Sequence, residues 1–193
     1  MIEQATRDDV NEVLPLLLAA IGTIAHSLAG TEEREEASAI LRDFYGQEHN
    51  RLSYRHVLLY RSGGEIAGML LSYPGDEAAE LDRPLAERPG RSAAAGDITP
   101  EARPGEYYLD SLAVGAAFQG QGIAKALIHA FEQRGLKAGY NQLALIVEQG
   151  NDRAYSLYTR LGYTHDGELE VSGSRYLRMI KQMVGDIWYK KGK

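Results

Sequence analysis

The 193-residue sequence predicts a single α/β domain spanning residues 1–193. Three observations predict it. Apolar runs of strand length alternate with segments of 3.6-residue periodicity from residue 107 onward. Two glycine turns, Ser62-Gly63-Gly64 and Ser172-Gly173, each separate a pair of strand-like runs, as in hairpins. The composition is 44% hydrophobic and 25% charged with no cysteine, which suits a globular domain that buries its core without disulfides.

Taken in order, Ile2-Glu3-Gln4-Ala5 reads as a short strand. Thr6-Arg7-Asp8-Asp9 offers helix-start chemistry before Val10, Val13, Leu14, Leu17 and Leu18, with Pro15 predicting a kink or an early end. Thr31-Glu32-Glu33-Arg34 predicts a second helix, with Thr31 as its cap. His56 to Tyr60 and Glu65 to Tyr73 read as strands around the first glycine turn. Residues 74–105 then collect Pro74, Pro84, Pro89, Pro100 and Pro104 with little apolar periodicity. A short helix within Asp76 to Glu87 fits there and the rest reads as a long loop, either functional or disordered.

The second half is sharper. Tyr107 to Val114 is apolar on both faces, as in a buried central strand. A glycine turn follows, then a helix with Ala124, Leu127, Ile128 and Phe131 at i, i+3, i+4, i+7. Gln142 to Val147 is another strand. Ala154, Leu157, Tyr158 and Leu161 repeat the helical spacing, and Gly162 is placed to stop that helix. Tyr163 to Val171 and Ser174 to Met183 close the pattern as a strand pair.

Charge and composition exclude several classes. The formal net charge is −6 and no basic stripe is visible, which argues against holding nucleic acid by its phosphates. The basic cluster Lys190-Lys191-Gly192-Lys193 reads as a solvated tail within 185–193. The histidines His26, His49, His56, His129 and His165 lack zinc-ligand spacing, so no metal is expected. No apolar stretch reaches the roughly 20 residues that span a bilayer, so no membrane partner is expected. Met1-Ile2-Glu3-Gln4 lacks the features of a signal peptide. A cytoplasmic location is the default expectation.

The most informative segment runs from Val114-Gly115 through Gln119-Gly120-Gln121-Gly122-Ile123-Ala124. A buried strand enters glycines that open an amphipathic helix, a geometry that presents unpaired backbone N–H groups and the positive helix end to an anion. Glycine lets the backbone approach a phosphate closely. A Walker A loop is excluded because no Lys-Ser/Thr pair follows, and the dinucleotide fingerprint fails because Lys125 occupies its third glycine position.

Gln119-Gly120-Gln121-Gly122-Ile123-Ala124 resembles the Arg/Gln-x-x-Gly-x-Gly/Ala signature of the GCN5-related N-acetyltransferases (GNAT). Asn151-Asp152-Arg153-Ala154-Tyr155-Ser156-Leu157-Tyr158-Thr159-Arg160-Leu161-Gly162-Tyr163 resembles the family's second signature, in the right order and at the usual separation. Ala116 departs from a frequent proline. The resemblance implies a mixed, mostly antiparallel central sheet flanked by helices and splayed at the acetyl-CoA site. It implies acetyl-CoA as acyl donor and a small-molecule or peptide amine as acceptor.

By the same resemblance, the pyrophosphate lies against the backbone of Gln119, Gly120, Gln121, Gly122, Ile123, Ala124 and Lys125. Pantetheine pairs with Leu112, Ala113 and Val114 and meets Asn151, which also suits a helix N-cap. Tyr158 is the implied general acid: a phenol with an ordinary pKa of about 10 stays protonated at neutral pH and can give its proton to a departing thiolate. Tyr155, one turn earlier, is a second candidate.

An acceptor amine of pKa about 10.4 must also lose a proton, at a cost of roughly 4.6 kcal/mol at pH 7. Asp110, two residues before Leu112, is expected on the same strand face, as base, amine anchor or member of an ion pair. Tyr108 shares that face. The acids Glu32, Glu33, Glu35, Glu36, Asp76, Glu77 and Glu80 fall in segments expected to border the acceptor mouth, although solvated helix faces explain them equally. A catalytically idle acyl-CoA-binding module is the alternative function. Ile187-Trp188-Tyr189 suits packing on the core or against a second copy in a homodimer.

Overall fold

The computed structural model describes residues 1–183. The basic tail and Ile187-Trp188-Tyr189 lie outside them. The described chain forms a seven-stranded sheet in the order β1-β2-β3-β4-β5-β7-β6. Its strands are β1 (Ile2–Gln4), β2 (Val57–Ser62), β3 (Glu65–Pro74), β4 (Glu106–Val114), β5 (Gln142–Glu148), β6 (Thr164–Val171) and β7 (Ser174–Gln182). Every neighbouring pair is antiparallel except β4 and β5. The helices are α1 (Val10–Ile21), α2 (Ile24–Ala29), α3 (Arg34–Gly46), α4 (Ala78–Ala86), α5 (Ile123–Lys137) and α6 (Asp152–Arg160). None of these helices is long and apolar enough to cross a membrane.

The sheet is buried on both faces because its central strands alternate between two cores. One core joins Met69, Leu71, Tyr108 and Ala144 to Leu14, Leu17, Leu28 and Leu41 of α1–α3. The other joins Leu70, Leu109, Leu143 and Leu145 to Leu127, Ile128 and Phe131 of α5, and to Tyr158 of α6. The continuous apolar run of β4 reflects this double burial.

Three local expectations need correction. Helix α1 runs through Pro15 to Ile21, so of the kink or early end expected there the early end does not occur. Burial of Val13, Leu14, Leu17 and Ile21 along one face offsets the roughly 3 kcal/mol that an interior proline costs. Thr31 does not cap α3, which begins at Arg34 after Glu33. Its hydroxyl instead accepts from the Glu33 N–H at 3.3 Å and donates to Glu36 at 2.5 Å, fixing the turn before the helix.

The third correction bears on the site. Leu71 pairs with Ser111 while Ser72 pairs with Leu109, so Asp110 is the extra residue of a β-bulge. The bulge shifts the alternation by one. Tyr108 belongs to the core under α1–α3, whereas Leu112 packs against the core under α5 and α6. Asp110 bonds Tyr73 of the first core, so it does not share a face with Leu112 as simple alternation predicts.

The proline-rich insertion contains α4 and then irregular backbone from Glu87 to Gly105, apart from a turn of 3-10 helix at Ala93–Ala95. It docks on the end of α2. Arg88 Nη2 donates to the Ala29 carbonyl at 2.9 Å, and the Ser92 N–H donates to the Gly30 carbonyl at 2.8 Å. Gly30 has φ +71 and a Cβ there would lie 2.4 Å from Arg91 Cγ, so the close approach needs glycine.

Candidate active site

The register of the sheet opens the site. Parallel pairing of β4 with β5 ends at Leu109–Leu145. Beyond it β4 stays with β3, while β5 stays with β7. The two strands diverge there, and the edge of Leu112, Ala113 and Val114 that faces the gap has no strand partner among the described residues. Such an edge offers backbone donors and acceptors to a ligand amide chain.

Helix α5 points its N-terminus at the same gap. Gly120 and Gly122 have φ +77 and +80, left-handed values that other residues adopt only with strain. The first hydrogen bond at that helix end runs from the Ala126 N–H to the Gly122 carbonyl at 3.0 Å. The six N–H groups from Gly120 to Lys125 donate to no acceptor among the described residues. They and the helix dipole form an anion cradle.

A groove of about 530 Å³ runs between this cradle and α6. Of the expected donor-site residues, Leu112 and Val114 line one wall, while Gln119, Gly120, Gly122, Ile123, Ala124 and Lys125 line another. Asn151 and Tyr158 line the α6 side. The side chains of Ala113 and Gln121 turn elsewhere: Ala113 packs on the opposite core, and Gln121 Nε2 donates to the Ala117 carbonyl at 3.3 Å. Arg153 and Arg160 also enter the groove, adding two cations to Lys125. The sequence carried that signal, because i and i+7 share a helix face. Arg153 Nη1 is anchored by Gln119 Oε1 at 3.3 Å.

A second cavity, about 160 Å³, passes through the gap between the strands. Ala20, Ile21, Ile24 and Leu28 form its aliphatic wall, and Arg51, Glu101, Asp110, Glu148 and Tyr176 supply polar groups. Groove and cavity share Leu112, Asn151, Ala154 and Tyr158.

Tyr158 therefore stands where the two spaces meet. Its ring packs edge-on against Tyr163 with centroids 5.8 Å apart, and its hydroxyl has no hydrogen-bond partner among the described residues. Burial pushes the phenol well above its ordinary pKa, so the proton is retained at neutral pH. Asn151 caps α6, accepting from the Ala154 N–H at 3.2 Å, and its amide nitrogen has no hydrogen-bond partner among the described residues. Tyr155 lines neither space.

Asp110 is committed to an ion pair. Arg51 Nε donates to its Oδ2 at 3.1 Å and Arg51 Nη2 makes a second, close bond there. Tyr73 donates to the same oxygen at 2.9 Å and Ser111 to the other at 2.7 Å. Arg51 also donates to Asp82 at 3.2 Å and to Glu101 at 3.0 Å. Burial alone would weaken the Arg51 charge, but Asp110, Tyr73 and Glu101 outweigh it and hold the guanidinium well above its ordinary value. Tyr108 lies behind this cluster, donating to Glu101 at 2.7 Å, and does not line the cavity.

Glu148 is different. It lines the cavity at an exposed position and takes no side-chain hydrogen bond or ion pair among the described residues. Glu32, Glu33, Glu35, Glu36, Asp76, Glu77 and Glu80 do not line the cavity; its acids are Glu101, Asp110 and Glu148.

A sheet splayed beside a helix N-terminus, with a phenol where groove and cavity meet, is the arrangement of an acetyltransferase fold. Residues 23–163 match the acetyltransferase (GNAT) family, and the chain belongs to it. An N-acetyltransferase from Staphylococcus aureus Mu50 is similar over 94% of this chain and 100% of its own, with TM-score 0.79 and 24% identity. A structure described as an acetyltransferase is similar over 95% of this chain and 100% of its own, at TM-score 0.77 and 27% identity. A PaiA N-acetyltransferase from Thermoplasma acidophilum, in complex with coenzyme A, covers 94% of this chain and 98% of its own, at TM-score 0.57 and 14% identity.

Proposed function

We propose that the chain moves the acetyl group of acetyl-CoA to a primary amine by direct attack, with Tyr158 as proton donor. The observation that carries this reading is the meeting of two spaces at Tyr158. One space has the chemistry of the donor. Free amides at Gly120 to Lys125, with Lys125, Arg153 and Arg160, suit the phosphates, and the unpaired edge of β4 suits the amides of the pantetheine arm. The other space carries carboxylates, which suit an amine.

Acetyl-CoA supplies a thioester carbonyl and a leaving thiolate. Tyr158 holds its proton at neutral pH and gives it to the sulfur. Asn151 orients the donor arm from the cap of α6. Arg51 holds Asp110 and Glu101 in place, so these two carboxylates shape the cavity and its potential rather than carry protons away.

Release of free CoA thiol tests the reading, because the protein has no cysteine and a thiol reagent sees only product. Release that depends on a primary amine is expected. Acetyl-CoA binding without turnover across polyamines, amino acids and amino-terminal peptides would instead mark an idle binding module.

A further inference from the structure

The small cavity constrains its occupant in three ways. The first is size: at about 160 Å³ it is close to the roughly 150 Å³ of an engineered cavity that holds one benzene, room for a chain of about six heavy atoms. The second is polarity, since Ala20, Ile21, Ile24 and Leu28 line it with aliphatic groups while Glu101, Asp110 and Glu148 line it with carboxylates. The third is charge: among the described residues, Glu101, Asp110 and Glu148 line it against the one guanidinium of Arg51.

Those carboxylates are not equivalent. Arg51 engages Glu101 and Asp110, whose side chains are 5% and 3% exposed. Glu148 has no such partner among the described residues, and it sits at the end of β5, where the Asn151 N–H donates to its carbonyl at 3.0 Å. That turn ties Glu148 to the residue that caps α6, two α-helical turns before Tyr158 on the same helix face. Across the ladder its partner is Tyr176, whose phenol is raised first by burial and then by the charge of Glu148.

We propose that the acceptor is a compact aliphatic primary amine with no anionic group, its nitrogen received by Glu148 and its chain by the Ala20–Leu28 wall. The inference rests on the acetyl-transfer reading and names the substrate class for it. The nitrogen bonds to the acetyl carbon as the carbon–sulfur bond breaks. The bound ammonium has first given one proton through Glu148 to solvent, which frees the nitrogen lone pair. On attack the second nitrogen proton passes to the Glu148 carboxylate and the sulfur takes the Tyr158 proton, so that one proton is released overall. Solvent at the Glu148 mouth then returns both groups to their starting protonation states. An added carboxylate on the acceptor would face three acids, and like charges in a confined site are strongly disfavoured.

The test compares n-butylamine, 1,4-diaminobutane, 4-aminobutyrate and an aminoglycoside by thiol release, with calorimetric binding of each to the protein–CoA complex. Butylamine is expected to exceed 4-aminobutyrate in kcat/KM by at least about thirtyfold, with diaminobutane close to butylamine and the aminoglycoside inert. Glu148→Gln should lower kcat/KM for butylamine about tenfold and shrink the 4-aminobutyrate penalty to about threefold, with Glu148→Asp recovering part of the loss. Ile24→Ala should move the preferred chain toward hexylamine, a change in selectivity that mere loss of stability does not produce. Equal use of 4-aminobutyrate or the aminoglycoside, or an unchanged profile in Glu148→Gln, would overturn the inference and leave acetyl transfer standing. Butylamine binding that Glu148→Gln weakens, without turnover of any amine, would keep the cavity assignment and remove the transfer reading. Neither binding nor turnover would remove both.

Discussion

Replacing Arg51 with methionine removes the cation that lines the small cavity among the described residues while keeping apolar bulk. The side chain is 2% exposed and bridges Asp82, Glu101 and Asp110. Breaking one buried pair by deleting a partner costs about 3–5 kcal/mol, and three carboxylates depend on this one, so a loss of about 4 kcal/mol at pH 7.5 is expected. With a urea m-value of about 2 kcal/mol/M, the unfolding midpoint falls by about 2 M.

The sign of the pH dependence follows from the same cluster. Glu101 is raised above its ordinary pKa, first by burial and then by the Asp110 charge, against the pull of Arg51. Asp82 is raised by burial against the same pull. A carboxylate raised in the folded state contributes stability when protonated and loses that contribution as pH rises through its folded pKa. Removing Arg51 raises both further, so the variant loses most at pH 7.5 and less at pH 5. Urea unfolding followed by far-UV circular dichroism at both pH values measures this. A midpoint shift below about 0.5 M at pH 7.5, or an equal shift at both, would refute the reasoning.

Three further outcomes are expected. Gly122→Ala places a side chain at φ +80 with no atom within 4 Å of the new Cβ, so the fold survives at a cost of about 1–2 kcal/mol; calorimetry should show acetyl-CoA binding weakened about tenfold as the amide row is re-aimed. Arg153→Ala combined with Arg160→Ala should weaken acetyl-CoA binding more at about 50 mM than at about 300 mM salt, since screening already removes part of their contribution; salt-independent loss would argue against phosphate contact. His56 is lowered to about 4, first by burial and then by the Arg134 charge. A histidine kept neutral by folding contributes stability above its unfolded value near 6.5 that is lost as pH falls toward 4, of the order of 3 kcal/mol. His56→Phe should flatten the urea midpoint over that range, and an unchanged pH profile would contradict the assignment.

What the sequence revealed depended on periodicity and on local motifs. Helices α5 and α6 show their inward faces in Leu127, Ile128 and Phe131 and in Leu157 and Tyr158, and the glycines before α5 announce a turn. The face of Asp110 was hidden because a bulge adds one residue without changing composition: β4 is apolar on both sides, so nothing in its pattern marks the shift at Leu71–Ser72. The Arg51–Glu101 pair joins residues 50 apart, from two segments with no periodicity, so this lining of the small cavity had no local signal. Glu148 ends a strand whose other residues read as core, and its role as the unpaired acid emerges only once Arg51 is seen to occupy Glu101 and Asp110. Helix α1 shows the opposite case, in which a strong local signal at Pro15 is outweighed by burial.

The central claim is that Tyr158, at the junction of groove and cavity, gives a proton to the departing thiolate. The measurement that tests it most directly compares wild type with Tyr158→Phe in acetyl-CoA affinity by calorimetry and in amine-dependent thiol release. Phenylalanine keeps the packing on Tyr163 and removes only the hydroxyl. Affinity within about twofold of wild type, with turnover at least about tenfold lower, is the predicted result. Full turnover in Tyr158→Phe would contradict the account, whatever its affinity for acetyl-CoA.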